Sequence, residues 1–197
     1  MSETNSRILL LAGSVRRESR TLVLCRYLQE LLQTEGVITE LWSAGLCPLP
    51  IADPAFHLDP GSHPDSAVKW LVSACENADG LVWASPLYHN GYSGVLKNAL
   101  DHLAIRQMSY KPVLLVGHGG SRSTQAVDTL RTIVRGFLAI PCPTAVCTAG
   151  SDFGGDTIAL TDAAIQMRCL RGAKELIQMS RALLPYRSLL REIASQG

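Results

Sequence analysis

Five short apolar runs recur along the chain, each parted from the next by a stretch with helical spacing, and this alternation leaves few folds open. The runs are Ile8–Ala12, Val37–Trp42, Leu81–Ala84, Pro112–Gly117 and Pro143–Thr148. Ile8–Ala12 is continuously apolar, the mark of a strand covered on both faces. Between the runs, apolar residues return at helical spacing. Leu24, Leu28, Leu31 and Leu32 predict a helix over Thr21–Thr34 that Gly36 ends. Val68, Leu71, Val72 and Cys75 predict one over Asp65–Asn77. Val95, Leu96, Ala99, Leu100 and Leu103 predict one over Ser93–Ile105, and Val127, Leu130, Ile133, Val134 and Phe137 one over Ser123–Leu138. A last helix spans Asp156–Leu184, broken by Pro185. Strands that alternate with helices imply a parallel sheet with helices on both faces. The chain reads as one α/β domain over residues 1–197, with residues 185–197 set apart as a C-terminal extension.

Composition excludes several classes of function. With 197 residues and 47% hydrophobic content, the chain is long and apolar enough for one good core. A formal net charge of +1 argues against non-specific nucleic-acid binding. No apolar run approaches the roughly 20 residues of a membrane helix, and Met1–Arg7 lacks the apolar centre of a signal peptide. The six cysteines (Cys25, Cys47, Cys75, Cys142, Cys147 and Cys169) are scattered without a paired spacing and read as core hydrophobes rather than a disulfide framework or metal site. A cytoplasmic protein is expected.

Function is written in the loops after the strands. Gly13 follows the first run and brings the backbone close to whatever lies above it; behind it come Ser14, Arg16, Arg17, Ser19, Arg20 and Thr21, ahead of the first helix. Hydroxyls, guanidinium groups and a helix N-terminus together make an anion cradle. The competing reading is that Ser19 and Thr21 cap the helix while the arginines face water. The loop has neither the Walker pattern nor G-x-G-x-x-G, so the phosphate it suits need not belong to a triphosphate or dinucleotide. A second loop, Ser85–Tyr92, carries Pro86, Leu87, Tyr88 and His89. A third, Gly117–Ser121, offers backbone N–H groups at Gly119 and Gly120. In a flavodoxin-like doubly wound five-stranded sheet of order 2-1-3-4-5, the first, third and fourth strands are neighbours, and their loops line one crevice at the carboxyl edge. A ligand with a phosphate at one end and a flat polar ring at the other fits such a crevice; FMN has that shape.

The segments Gly13–Ser19 and Ser85–Asp101 and the later glycine turn resemble the NADPH-dependent FMN reductase family, whose members are flavodoxin-like flavin, quinone, azo and chromate reductases. The resemblance covers roughly residues 7 to 150, and Ser85–Asp101 is its most specific part. It implies FMN as cofactor and NADPH as co-substrate. By position it implies that Ser14, Arg16, Ser19 and Thr21 bind the phosphate, with Arg20 inside the same cradle. Pro86, Leu87, Tyr88 and His89 then meet the ribityl chain and ring, and Gly119, Gly120 and Ser121 the ring's pyrimidine side. It implies dimers or tetramers that use the helix from Ser93. Leu87 stands where many members carry an acidic residue.

The expected activity is an NAD(P)H-dependent FMN oxidoreductase that passes hydride or electrons through FMN to a small acceptor: a flavin, quinone, azo compound or metal oxyanion. The cofactor carries the chemistry, so no catalytic acid–base side chain and no metal are expected. An FMN-binding electron carrier or redox sensor with little NADPH turnover is the alternative. A cysteine phosphatase is excluded, because no cysteine has an arginine six residues on.

Overall fold

The computed structural model describes residues 6–154 and 158–195, with side chains to Arg187. Five parallel strands form the sheet: β1 (Arg7–Ala12), β2 (Ile38–Ser43), β3 (Gly80–Pro86), β4 (Pro112–His118) and β5 (Ile140–Thr148), in the order β2-β1-β3-β4-β5. The expected flavodoxin-like order of 2-1-3-4-5 is therefore the observed one. Register runs without a break across the centre, Leu10 lying opposite Val82 and Val82 opposite Leu114. Leu9, Leu10, Leu11 and Ala12 are wholly buried, as a strand covered on both faces requires.

Side-chain alternation splits the core in two. Leu9, Leu11, Leu81, Trp83, Val113 and Leu115 face α2 (Ser66–Asn77), α3 (Gly94–Asp101) and α5 (Gln125–Gly136). Ile8, Leu10, Val82, Leu114 and Val116 face α1 (Arg20–Thr34) and α6 (Ala163–Ser195). Gly36 closes α1 at φ +77°, a conformation that side chains resist.

Four expectations change. The helix predicted over Ser93–Ile105 stops at Asp101: His102 turns its Nε2 to the Pro50 carbonyl at 3.0 Å, and a separate turn, α4 (Ile105–Met108), follows. The fifth strand begins at Ile140 rather than Pro143, because Pro141 and Pro143 lie on an edge strand, where a missing N–H costs nothing to the ladder. A two-stranded hairpin, β6 (Phe153–Gly154) and β7 (Ala159–Leu160), precedes α6, whose expected start at Asp156 lies outside the described residues. Pro185 does not end α6, which runs on to Ser195. A proline inside a helix costs about 3 kcal/mol. Just beyond it, buried Arg187 donates to the Asp79 and Ala78 carbonyls at 3.0 and 3.3 Å, holding the helix against the α2–β3 turn.

The open edge of β5 is covered by side chains of α6. Glu175 accepts from the Thr144 N–H at 2.8 Å, and Arg168 donates to the Ala145 carbonyl at 2.5 Å. An exposed ladder edge would otherwise template pairing with another chain. Among the described residues no helix is long and apolar enough to cross a membrane.

Candidate functional site

A crevice of about 520 Å³ opens at the carboxyl edge of the sheet. The β1–α1 loop lines it with Ser14, Arg16, Glu18, Ser19, Arg20 and Thr21. Pro86, Leu87 and Tyr88 enter after β3, His118, Gly119 and Gly120 after β4, and Ile158 from the hairpin.

Gly13 sets the first wall. Its N–H donates to the Ala84 carbonyl at 2.8 Å, and its own carbonyl accepts from the Ser93 hydroxyl at 2.5 Å. A Cβ on Gly13 would lie 2.5 Å from Leu96 Cβ, so this glycine serves close approach to α3. The loop then reaches α1, where buried Ser19 is the N-cap and its hydroxyl accepts from the Leu22 N–H at 3.1 Å. The Ser14 hydroxyl accepts from the Arg16 N–H at 3.4 Å. The capping reading holds for Ser19 and leaves other donors of the loop open to an anion. Ser19 serves the N–H of Leu22, while the N–H groups of Arg20 and Thr21 meet no acceptor among the described residues. Those two donors and the positive end of a 15-residue helix open on a crevice that Arg16 and Arg20 also line.

The second and third walls are tied together. The Leu87 N–H donates to the His118 carbonyl at 2.7 Å, and the Gly119 N–H to the Thr148 carbonyl at 3.0 Å. A Cβ on Gly119 would come within 3.1 Å of Leu87, whereas one on Gly120 would meet open space. Tyr88 and Gly91 exchange two backbone hydrogen bonds of 2.9 Å around His89 and Asn90, both at positive φ (47° and 66°), a type I′ turn. His89 sits exposed at the tip of that turn, and Ser121 is exposed beyond Gly120; neither is among the lining residues. Tyr92 packs against the core on the α3 side.

A cluster behind the third wall was invisible in the sequence. Arg122, just past the glycine turn, donates through Nε to both Asp152 carboxylate oxygens at 3.1 Å and through Nη2 to Asp152 and Asp162 at 2.6 Å each. Asp152 is buried and also accepts from the Ala149 N–H at 2.8 Å. Hydrogen bonds from Arg122, with burial opposing them, hold its carboxyl below the usual carboxylate range. Asp162 caps α6 through the Ile165 N–H at 2.9 Å. One cation thus joins the glycine turn to the segment that carries Phe153. The Phe153 ring meets His118 edge-on at 5.4 Å, and the Arg20 guanidinium lies over it at 5.7 Å. Burial, then the charge of Arg20, pushes the His118 imidazole below its ordinary value. Among the described residues no three His, Cys, Asp or Glu side chains gather as a metal site would require. The donor set fits a phosphate at the start of α1 and a flat ring along the Leu87–Tyr88 and Gly119–Gly120 backbones.

The sequence matches the family described as NADPH-dependent FMN reductase over residues 6–154. An FMN-dependent NADPH-azoreductase of Staphylococcus aureus is 36% identical over 164 residues, which covers 81% of this chain and 87% of that one. Among solved structures, the apo form of NADH:FMN oxidoreductase (EMOB) superposes with a TM-score of 0.69 at 23% identity, covering 88% of this chain and 89% of that one. FerB, a flavoenzyme NAD(P)H:(acceptor) oxidoreductase of Paracoccus denitrificans, superposes with a TM-score of 0.71 at 18% identity, covering 90% and 98%. At these identities the two structures speak to the fold alone.

Proposed function

The chain belongs to the NADPH-dependent FMN reductase family, and from that premise we propose that the crevice holds FMN with its phosphate over the start of α1 and that a flat aromatic acceptor, azo compounds included, enters beside Tyr88. The protein is an NADPH-dependent FMN oxidoreductase. Bound FMN supplies the chemistry, the relay of a hydride from NADPH to the acceptor. The side chains bind and orient. Ser14, Arg16, Ser19, Arg20 and Thr21 would hold the phosphate. Pro86, Leu87, Tyr88 and His89 would flank the ribityl chain and ring; Gly119, whose N–H is taken by the Thr148 carbonyl, would lie against its pyrimidine side, and Gly120 and Ser121 would turn backbone N–H groups to it.

The observation that carries this reading is the pair of backbone donors at Arg20 and Thr21 that meet no acceptor among the described residues, in a crevice that Arg16 and Arg20 also line. The azo acceptor is supported by the 36% identical azoreductase and by the apolar and aromatic rim of Leu87, Tyr88 and Ile158. The test is spectroscopic. FMN added to the apo protein should bind, NADPH should bleach its visible absorbance without air, and an azo dye should restore the colour. Failure to bind FMN refutes the site; bleaching without recovery by the dye refutes the acceptor.

The proposal extends to the whole chain acting as one FMN-binding domain that assembles as a homodimer or homotetramer in the cytoplasm. On α3, Asn98 accepts from the Ala52 N–H at 2.9 Å and donates to the Pro50 carbonyl at 2.7 Å, so the proline-rich loop lies over the helix. That loop exposes Ile51 and Leu58, at 84% and 88%, which supports an interface there. Six free thiols suit a reducing compartment. A monomer mass at micromolar concentration would refute the assembly.

A further inference from the structure

The tautomer of His118 is set by its neighbour. The Thr148 hydroxyl has one proton and donates it to the Gly117 carbonyl at 3.2 Å. With that proton on the Gly117 carbonyl, the hydroxyl oxygen, 3.0 Å from His118 Nδ1, accepts from an Nδ1–H. Nε2 is then the nitrogen that titrates, and it meets no hydrogen-bond partner among the described residues. The ring lines the same crevice as Ser14, Ser19 and Thr21 and shares the Phe153 ring with the Arg20 guanidinium.

We propose that His118 is a proton-coupled phosphate ligand, neutral in the free protein and protonated on Nε2 when the crevice holds the phosphate of FMN. The inference rests on the FMN reading above and goes past it, since it gives the cradle a third cation that exists only with the anion. The charges around the ring are few. Arg20 from α1 disfavours the imidazolium and Asp152 from the segment after β5 favours it. Arg122, beyond Asp152, is engaged by two carboxylates, and Arg16 and Glu18 line the same crevice. A phosphate dianion beside Arg20 offsets that guanidinium's effect on the ring, because a nearby opposite charge favours the charged form. The proton comes from solvent and makes one N–H bond on Nε2; no electron moves.

Linkage sets the sign. His118 is neutral at pH 7 in the free protein, and the anion raises its pKa, so binding takes up a proton. FMN binding should tighten as pH falls through the raised value, by about tenfold per pH unit at most, the limit for one proton. Protonation of the phosphate itself, with its second pKa about 6, works the other way below that pH. The test titrates apo protein with FMN from pH 6 to 8 in two buffers of different ionisation heat. Riboflavin, which lacks the phosphate, is the control. Proton uptake with FMN, none with riboflavin, and its loss in His118→Asn support the proposal. Imidazole nitrogen shifts of the unaltered protein keep it falsifiable if that variant does not fold: neutral Nδ1–H before FMN and imidazolium after it is the expected result. FMN that binds with no proton uptake, uptake that persists in His118→Asn, or an imidazole that stays neutral overturns the proposal and leaves the FMN site standing. FMN that fails to bind at any pH overturns both.

Discussion

Replacing Gly13 with alanine tests how the phosphate loop is held. The added Cβ meets Leu96 Cβ at 2.5 Å, Ser93 Oγ at 3.1 Å and the Ala84 carbonyl at 3.2 Å. Both β-carbons are fixed to backbone, so rotamer changes relieve nothing. The two must part from 2.5 Å to at least 3.4 Å, either by moving α3 or by lifting the loop off the sheet. Overpacking of this kind costs roughly 1–3 kcal/mol, and stretching the Ser93–Gly13 hydrogen bond adds about 1 kcal/mol. Gly13→Ala should therefore lose roughly 2–4 kcal/mol of stability and lower the melting temperature by roughly 4–16 °C at this chain length. Ser93→Ala, which loses the α3 cap and the same hydrogen bond but adds no atom, should lose about 2 kcal/mol. The double variant should cost about 1 kcal/mol less than the two single losses combined, because the bond is counted once and the hydroxyl clash disappears. Urea unfolding of the apo protein measures all three, and FMN titration of the survivors reports the loop position. A Gly13→Ala protein of unchanged stability and FMN affinity would refute the close-approach argument.

Three further outcomes follow from the same geometry. Ser14→Ala and Arg16→Ala should each weaken FMN binding by about 1–3 kcal/mol, read by flavin fluorescence, since each removes a phosphate hydrogen bond; unchanged affinity in both would sink the phosphate assignment. The depressed Asp152 carboxyl adds stability that is fully present above its unfolded pKa of about 3.9 and is lost as pH falls through its lower folded value. Asp152→Asn should accordingly flatten the acid limb of a melting-temperature profile, and an unchanged limb would deny the Arg122–Asp152 pair its role. Cys47 is exposed, whereas burial pushes Cys75 up to about 11 and Cys142 and Cys169 up to about 12. Alkylation of the native protein at pH 8 should mark Cys47 first, and early labelling of Cys75, Cys142 or Cys169 would contradict the packing.

The sheet was legible because a parallel strand buried on both faces has to be apolar throughout, and Ile8–Ala12 could be little else. Helix starts were legible where a side chain does the capping: Ser19, Asp65 and Ser93 each accept from a first-turn N–H. Ends and exceptions were not. Pro185 breaks a helix by local rules, but Arg187 is held by the carbonyls of Ala78 and Asp79, about a hundred residues earlier, and no local pattern records that. The proline-rich stretch after β2 takes its order from α3, which no local pattern records: Asn98 and His102 supply the partners for Pro50 and Ala52.

The same division runs through the site. Loops that follow strands of a parallel sheet are bound to meet at one edge, so Ser14–Thr21, Pro86–Tyr88 and Gly119–Gly120 could be brought together on topology alone. What topology does not supply is the cluster made with a segment crossing back over that edge. Arg122 and Asp152 stand thirty residues apart with no spacing to link them, and Phe153 is a single aromatic in a polar loop. Their pairing becomes visible only when β4 and β5 lie side by side and their following segments share a surface. His118 belongs to this hidden layer: as a residue of the glycine turn it reads as a polar loop side chain. Its chemistry comes from Thr148 on the next strand, Phe153 on the crossing segment and Arg20 on the first helix. Most side chains that line the crevice were readable from their loops, while the groups that surround His118 come from elements distant in sequence, and only the fold assembles them.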